Sequence, residues 1–131
     1  MPWLIWEFTD SRDRGVVEVW LNEERIQKKA RTILNVRIDL LRRLGSDAPG
    51  LLVGPIYRHV YKLRIRSEGV QLRPMLCKGP ISNDLEYTLL LGATERGDHY
   101  QPRNAPELAE ENREVVLMDR SRRRLHERFP K

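Results

Sequence analysis

The sequence predicts a small α+β domain with helices packed on one antiparallel sheet. Three observations carry that prediction. Apolar residues recur at helical spacing from Ile26 to Leu44, three β-rich segments follow between His59 and Gly92, and a second helical pattern occupies Glu107–Met118. The predicted order is β-α-α-β-β-β-α.

Each element has its own reason. Trp3–Phe8 is rich in Trp and Ile, lacks breakers and reads as the first strand. Asp10–Gly15 is a polar connection. Val16–Leu21 opens a short helix, and Asn22 is placed as the N-cap of a longer one, with Glu23 and Glu24 at the positive end of its dipole. Ala30, Leu34, Ile38 and Leu41 form the apolar stripe of that helix, and Gly45 ends it as a C-cap residue. Ser46–Pro55, punctuated by Gly and Pro, reads as a loop. His59–Arg66, Val70–Cys77 and Leu85–Gly92, joined by turns at Glu68-Gly69 and Gly79-Pro80, form a three-strand meander. Pro74 marks an edge or a bulge in the middle strand, because proline has no N–H for the ladder. Gly97–Pro106 is irregular, and the last helix turns Leu108, Ala109, Val115 and Val116 inward.

With 131 residues the chain is expected to form one domain, residues 1–119, followed by a basic tail, residues 120–131. No apolar run reaches the ~18 residues of a spanning helix, and Met1–Glu7 lacks the basic start and long apolar stretch of a signal peptide. A single cysteine, Cys77, excludes an internal disulfide and fits a reducing cytoplasm. The net charge of +5 is unevenly spread. Residues 58–78 carry six Lys/Arg against Glu68, and residues 120–131 carry six against Glu127, while residues 79–119 hold nine acids against three Arg. A basic hairpin, an acidic segment and a basic tail point to a polyanionic partner.

Tyr61–Arg66 alternates strictly between apolar and basic residues. Successive strand side chains point to opposite faces, so Tyr61, Leu63 and Ile65 face a core while Lys62, Arg64 and Arg66 line up on the other side. Such a row repels itself and is occupied either by solvent or by an anion.

Tyr61-Lys-Leu-Arg-Ile-Arg-Ser-Glu-Gly69 with Leu72, followed by Leu91-Gly-Ala-Thr-Glu-Arg-Gly-Asp-His-Tyr100 and the helix Ala105–Val116, resembles the RelE/ParE toxin superfamily, in particular its phage-derived HigB-like branch. The resemblance covers residues 3–118 in element order and 60–118 in motif. It implies a RelE-like fold and a cytoplasmic toxin of a two-component toxin–antitoxin system that cuts mRNA at the ribosome without a metal or cofactor. It also implies a helix-turn-helix, HigA-like antitoxin as partner. In such a reaction the 2′-hydroxyl attacks its own phosphate, so the site must remove a proton, stabilise an anionic phosphorane and protonate the leaving oxygen.

By position, Lys62 and Arg64 match the phosphate-binding and acid–base cations of the family, and Tyr100 matches the aromatic residue that holds the cleaved nucleotide. Gln71 and Thr94 stand where arginines are expected; Arg73 and Arg96, two residues further on, are the replacements. His99 beside Tyr100 is a candidate acid or base, since histidine ordinarily titrates near neutrality. The expected catalytic set is therefore Lys62, Arg64, Arg96, His99 and Tyr100, with Arg66, Arg73, Arg122, Arg123 and Arg124 as RNA contacts. Glu95 and Asp98 read as members of a polar loop, and the three tryptophans as packing residues. The histidines and Cys77 show no metal-ligand spacing, and Gly50–Gly54 lacks the lysine of a phosphate-binding loop. Two further readings stay open: a ParE-type toxin that poisons DNA gyrase by binding, and an inactive relative that only binds an antitoxin or nucleic acid.

Overall fold

The computed structural model describes residues 2–130, and its architecture is α+β. β1 (Leu4–Phe8) leads into α1 (Val16–Glu23) and α2 (Lys28–Leu44). Eight short strands follow: β2 (Val53–Tyr57), β3 (Val60–Leu63), β4 (Ile65–Ser67), β5 (Val70–Leu72), β6 (Met75–Lys78), β7 (Glu86–Leu91), β8 (Thr94–Arg96) and β9 (His99–Gln101). Then come α3 (Ala105–Met118) and β10 (Arg123–Leu125). A six-stranded sheet has the order β10-β1-β7-β6-β3-β2, and a four-stranded sheet the order β4-β5-β8-β9. All pairings are antiparallel except that of β1 with β7.

The meander is present, but its first two strands change sheets partway and the third is followed by a strand in the other sheet, so the single antiparallel sheet expected becomes two. His59–Arg66 divides into β3 and β4 at Arg64; Val70–Cys77 divides into β5 and β6 at Arg73-Pro74; β7 passes into β8 across Gly92-Ala93. Pro74 cannot donate to a ladder, yet its carbonyl still accepts from Leu63 N at 2.9 Å, and the β6–β7 register shifts between Met75 and Leu76. Gly92 is required at the crease, because a Cβ there would run into the Trp20 ring.

Helices cover both faces of the larger sheet. Leu34, Ile38 and Leu41 of α2 and Val17 and Leu21 of α1 pack with Ile5, Leu63, Ile65, Leu72 and Leu89. Ala105, Ala109 and Val116 of α3 pack on the opposite face with Phe8, Val60, Met75, Cys77 and Leu90. No helix is long and apolar enough to cross a membrane among the described residues.

Four expectations need correction. Asn22 lies inside α1 rather than capping α2; Arg25 and Ile26 donate back to the carbonyls of Asn22 and Leu21, a Schellman closure that ends α1 first. The Ser46–Pro55 loop already contains the start of β2, and the irregular Gly97–Pro106 segment contains β9. Residues 120–130 belong to the fold rather than extending from it; Lys131 lies outside the described residues. β10 pairs with β1, His126 N donates to Ile5 O at 2.8 Å, and Asn35 clamps the Phe129 backbone with bonds of 3.1 and 2.9 Å.

Candidate functional site

Across the four-stranded sheet the register aligns Arg66, Gln71, Glu95 and Tyr100 in one row. Lys62 and Arg73 reach this row from the crease. Lys62 Nζ donates to Tyr100 Oη at 2.8 Å and to Glu95 Oε1 at 3.3 Å, and lies 5.1 Å from the centroid of the Tyr100 ring. Arg73 donates from Nε to Glu95 Oε2 at 2.9 Å, from Nη2 to Gln71 Oε1 at 2.6 Å and from Nη1 to the Leu72 carbonyl at 2.9 Å. The Lys62, Arg73 and Glu95 side chains are only 11%, 9% and 19% exposed. Burial by itself would raise the Glu95 carboxyl, but the hydrogen bonds and charges of Lys62 and Arg73 outweigh it and hold it below its usual range. One ionised carboxylate thus serves two cations, and the cluster keeps a net positive charge.

Arg64 and Arg66 are exposed beside it, and among the described residues neither makes an ion pair. Arg64 lies across β2, where a Cβ on Gly54 would sit 3.6 Å from its Nη2. The expected row of three open cations is therefore two open cations and one largely covered, charge-matched lysine. Leu63 and Ile65 are fully buried, and Tyr61 is half-buried against the same core.

The structure brings Lys62, Arg64, Arg66, Arg73 and Tyr100 to one face, but not Arg96 and His99. Those two flank Glu95 and Tyr100 in sequence, so they project from the opposite face, where they are paired in register. With Thr94 they line a cleft of about 680 Å³ between the small sheet and the α1–α2 corner, which Tyr100 also borders. Thr94 therefore stands on the cleft side and leaves no gap in the Lys62 cluster.

The tail arginines are engaged within the molecule. Arg122 donates to the Thr9 carbonyl and lies 5.2 Å from the Phe8 ring centroid. Arg123, stacked over Trp6, forms a buried pair with Glu86 at 2.6 Å. Arg124 joins Glu7 at 3.3 Å and Glu18 at 2.5 Å. Glu7 in turn accepts from the N–H groups of Val17 and Glu18, capping α1 from a distance, and burial raises its carboxyl above the usual range. These three arginines hold β10 against β1, which occupies the charges expected to be free for RNA.

Glu95 is the functional candidate that reading the sequence missed. Taken as loop, it had no defined direction; taken as strand, Thr94-Glu95-Arg96 alternates and puts Glu95 opposite Gln71, within reach of the basic strand. Elsewhere, His59 Nδ1 meets Glu110 at 2.7 Å, and the Cys77 thiol is pushed up by burial to about 12, which makes it a packing group and not a nucleophile. No group of three His, Cys, Asp or Glu that could hold a metal occurs among the described residues. Comparisons with family models, curated proteins and solved structures found no match.

Proposed function

We propose that the protein is a RelE-like toxin of a two-component toxin–antitoxin pair that cleaves mRNA in the cytoplasm without a metal. The observation that supports this reading is the 2.8 Å hydrogen bond from Lys62 to Tyr100, set beside an ionised Glu95 and the exposed Arg64. Single-stranded RNA on this face has a base on the Tyr100 ring and a phosphate against Arg64. The 2′-hydroxyl gives its proton to the Glu95 carboxylate while its oxygen bonds to phosphorus. The P–O5′ bond breaks, and the departing oxygen takes a proton from the Tyr100 phenol, whose own oxygen already accepts from Lys62. Lys62 and Arg64 offset the charge on the phosphorane. The products are a 2′,3′-cyclic phosphate and a 5′-hydroxyl end. Arg73 acts as a positioning residue that fixes Glu95. The partners of this reading are the ribosome and a helix-turn-helix antitoxin.

A second reading is favoured by the double role of Glu95. Because it is already engaged by both Lys62 and Arg73, and because Arg96 and His99 face away, the surface also suits a protein that binds nucleic acid or another target without cutting it. Inducible expression in a bacterium, with growth followed and mRNA 5′ ends mapped, separates the two. Arrest with new 5′-hydroxyl ends that vanish in Tyr100→Phe and Lys62→Ala supports cleavage. Arrest without new ends supports toxicity by binding, and absence of arrest refutes the toxin.

A further inference from the structure

We infer that the cleft between the small sheet and the α1–α2 corner is a nucleotide-binding site, filled by a free nucleoside monophosphate or by one nucleotide of an RNA chain. Its volume, about 680 Å³, falls in the roughly 300–1,000 Å³ range of small-ligand pockets. Its floor is apolar, built from Ile26, Ala30, Val70 and Leu72, and offers a surface for the flat face of a base. Thr94 and Gln101, opposite each other in the β8–β9 ladder, add hydroxyl and amide groups suited to a base edge.

The rim is cationic in a way the Lys62 cluster is not. Arg25, Arg96 and Arg103 line the cleft, all three are exposed, and none has a carboxylate within ion-pair distance among the described residues. Guanidinium groups match the forked geometry of a phosphate. Arg25 also occupies the C′ position of the α1 Schellman closure at φ +52°, where glycine is the unstrained residue. Glu68, likewise at φ +52°, heads the β4–β5 turn on the same rim, where asparagine or glycine is usual. Charged side chains thus stand at two positions the backbone would give to smaller residues. Glu24 and Glu68 argue against an acidic peptide as the occupant, because they would repel it; toward a nucleotide they serve as acceptors for ribose hydroxyls or a base amino group.

The test is an NMR titration of the ¹⁵N-labelled full chain with AMP, GMP, CMP and UMP, then with adenosine, inorganic phosphate and a short single-stranded oligoribonucleotide. The amides of Ile26, Thr94 and Gln101 are expected to shift. At least one monophosphate or the oligonucleotide should bind about tenfold more tightly than adenosine or phosphate alone. Saturation by a monophosphate identifies a free nucleotide as the ligand; a response to the oligonucleotide alone identifies a nucleotide of RNA. Arg96→Glu/Arg103→Glu, at two exposed positions, should weaken binding about tenfold or more. Val70→Glu, at a position 47% exposed, should do the same by placing a carboxylate on the floor. Unmoved amides at millimolar ligand, or full affinity in both variants, overturn the assignment. Lys62, Arg64 and Glu95 do not line the cleft and Tyr100 only borders it, so loss of mRNA cleavage in Lys62→Ala with the titration unchanged, or the reverse in Arg96→Glu/Arg103→Glu, tells the two failures apart.

Discussion

Glu95→Gln isolates the charge on which the outer face turns. It removes one negative charge and keeps the side-chain shape. The carboxylate it replaces meets Lys62 at 3.3 Å and Arg73 at 2.9 Å, with all three side chains less than one-fifth exposed. Breaking a fully buried pair by deleting one partner costs about 3–5 kcal/mol, whereas exposed pairs contribute about 0–1 kcal/mol. This cluster borders solvent, and the Gln amide oxygen still accepts one hydrogen bond, so the expected loss is about 2 kcal/mol. That corresponds to a fall in Tm of about 6–10 °C in a domain of this size. Glu95 has a folded pKa depressed below the usual 4.5, so its contribution is present above that value and lost as pH falls through the folded pKa. The gap between wild type and variant should therefore shrink as pH falls below the usual 4.5 and through the folded pKa.

The same substitution should strengthen polyanion binding while it weakens the fold. For single strands, log K falls against log salt with a slope of about −0.7 per phosphate neutralised. On this face Arg64, Arg66 and the net single positive charge of the Lys62–Arg73–Glu95 cluster give a wild-type slope of about −2.1, and removing the Glu95 charge should steepen it to about −2.8. Fluorescence anisotropy of a labelled single-stranded RNA, between about 50 and about 200 mM salt, measures both slopes. On the cleavage reading, cutting falls even as binding tightens, because the proton acceptor is gone. An unchanged slope in a destabilised variant would refute the idea that Glu95 withholds one phosphate-binding charge from this face.

Three further outcomes follow from the packing of the C-terminal segment. Arg123→Met leaves Glu86 unpaired where both side chains are 7% exposed, so urea denaturation should show a loss of about 3–5 kcal/mol, much of it restored by adding Glu86→Gln. Phe129→Ala, at a position 3% exposed, should cost about 3–5 kcal/mol, while a wild-type denaturation curve would mean that residues 126–130 do not dock. His126 is held at about 4 by burial, with the nearby Arg42 and Arg124 adding to it, against its usual 6.5. The unfolded chain therefore binds a proton in that window that the folded one does not, so stability falls as pH drops from about 6.5 toward 4, by about 3 kcal/mol in all. His126→Leu should remove that portion of the pH dependence, and equal pH slopes in wild type and variant would show that His126 is not buried neutral.

Much of the fold was legible because it depends on local pattern. The α2 stripe, the alternation at Tyr61–Arg66 and the Glu68-Gly69 turn each encode an element within a few residues. What was not legible depends on partners distant in sequence. The tail reads as surplus charge until Glu86, Glu7 and Glu18 are brought alongside Arg123 and Arg124 by the pairing of β10 with β1. Glu95 reads as loop until β8 pairs with β5 and sets it opposite Gln71. Arg96 enters the set as the arginine two residues after Thr94, and His99 as the neighbour of Tyr100, both on sequence proximity to a matched position. On a strand, adjacent residues belong to opposite faces, and proximity of that kind separates them.

The two candidate sites share one physical origin, the crease at which the meander passes from one sheet to the other. Its breaks lie side by side: Leu63 N donates to the Pro74 carbonyl, and Arg73 N donates to the Ala93 carbonyl at 2.8 Å. On one side of the crease α3 covers the outer face, and Val60, Met75 and Leu90 are apolar there. Past it, the same face carries Arg66, Gln71, Glu95 and Tyr100, because no helix packs over them and polar side chains need not be desolvated. On the inner face, α2 covers Ile65 and Leu72 but begins only at Lys28, so the sheet runs on beyond the helix and leaves the cleft at Ile26 and Ala30. A flat continuation of the larger sheet would have buried or exposed both faces together. The bend allows one strand segment, Thr94–Arg96, to send a carboxylate into a cation cluster on one side and, on the other, an arginine without an ion-pair partner among the described residues into a cleft.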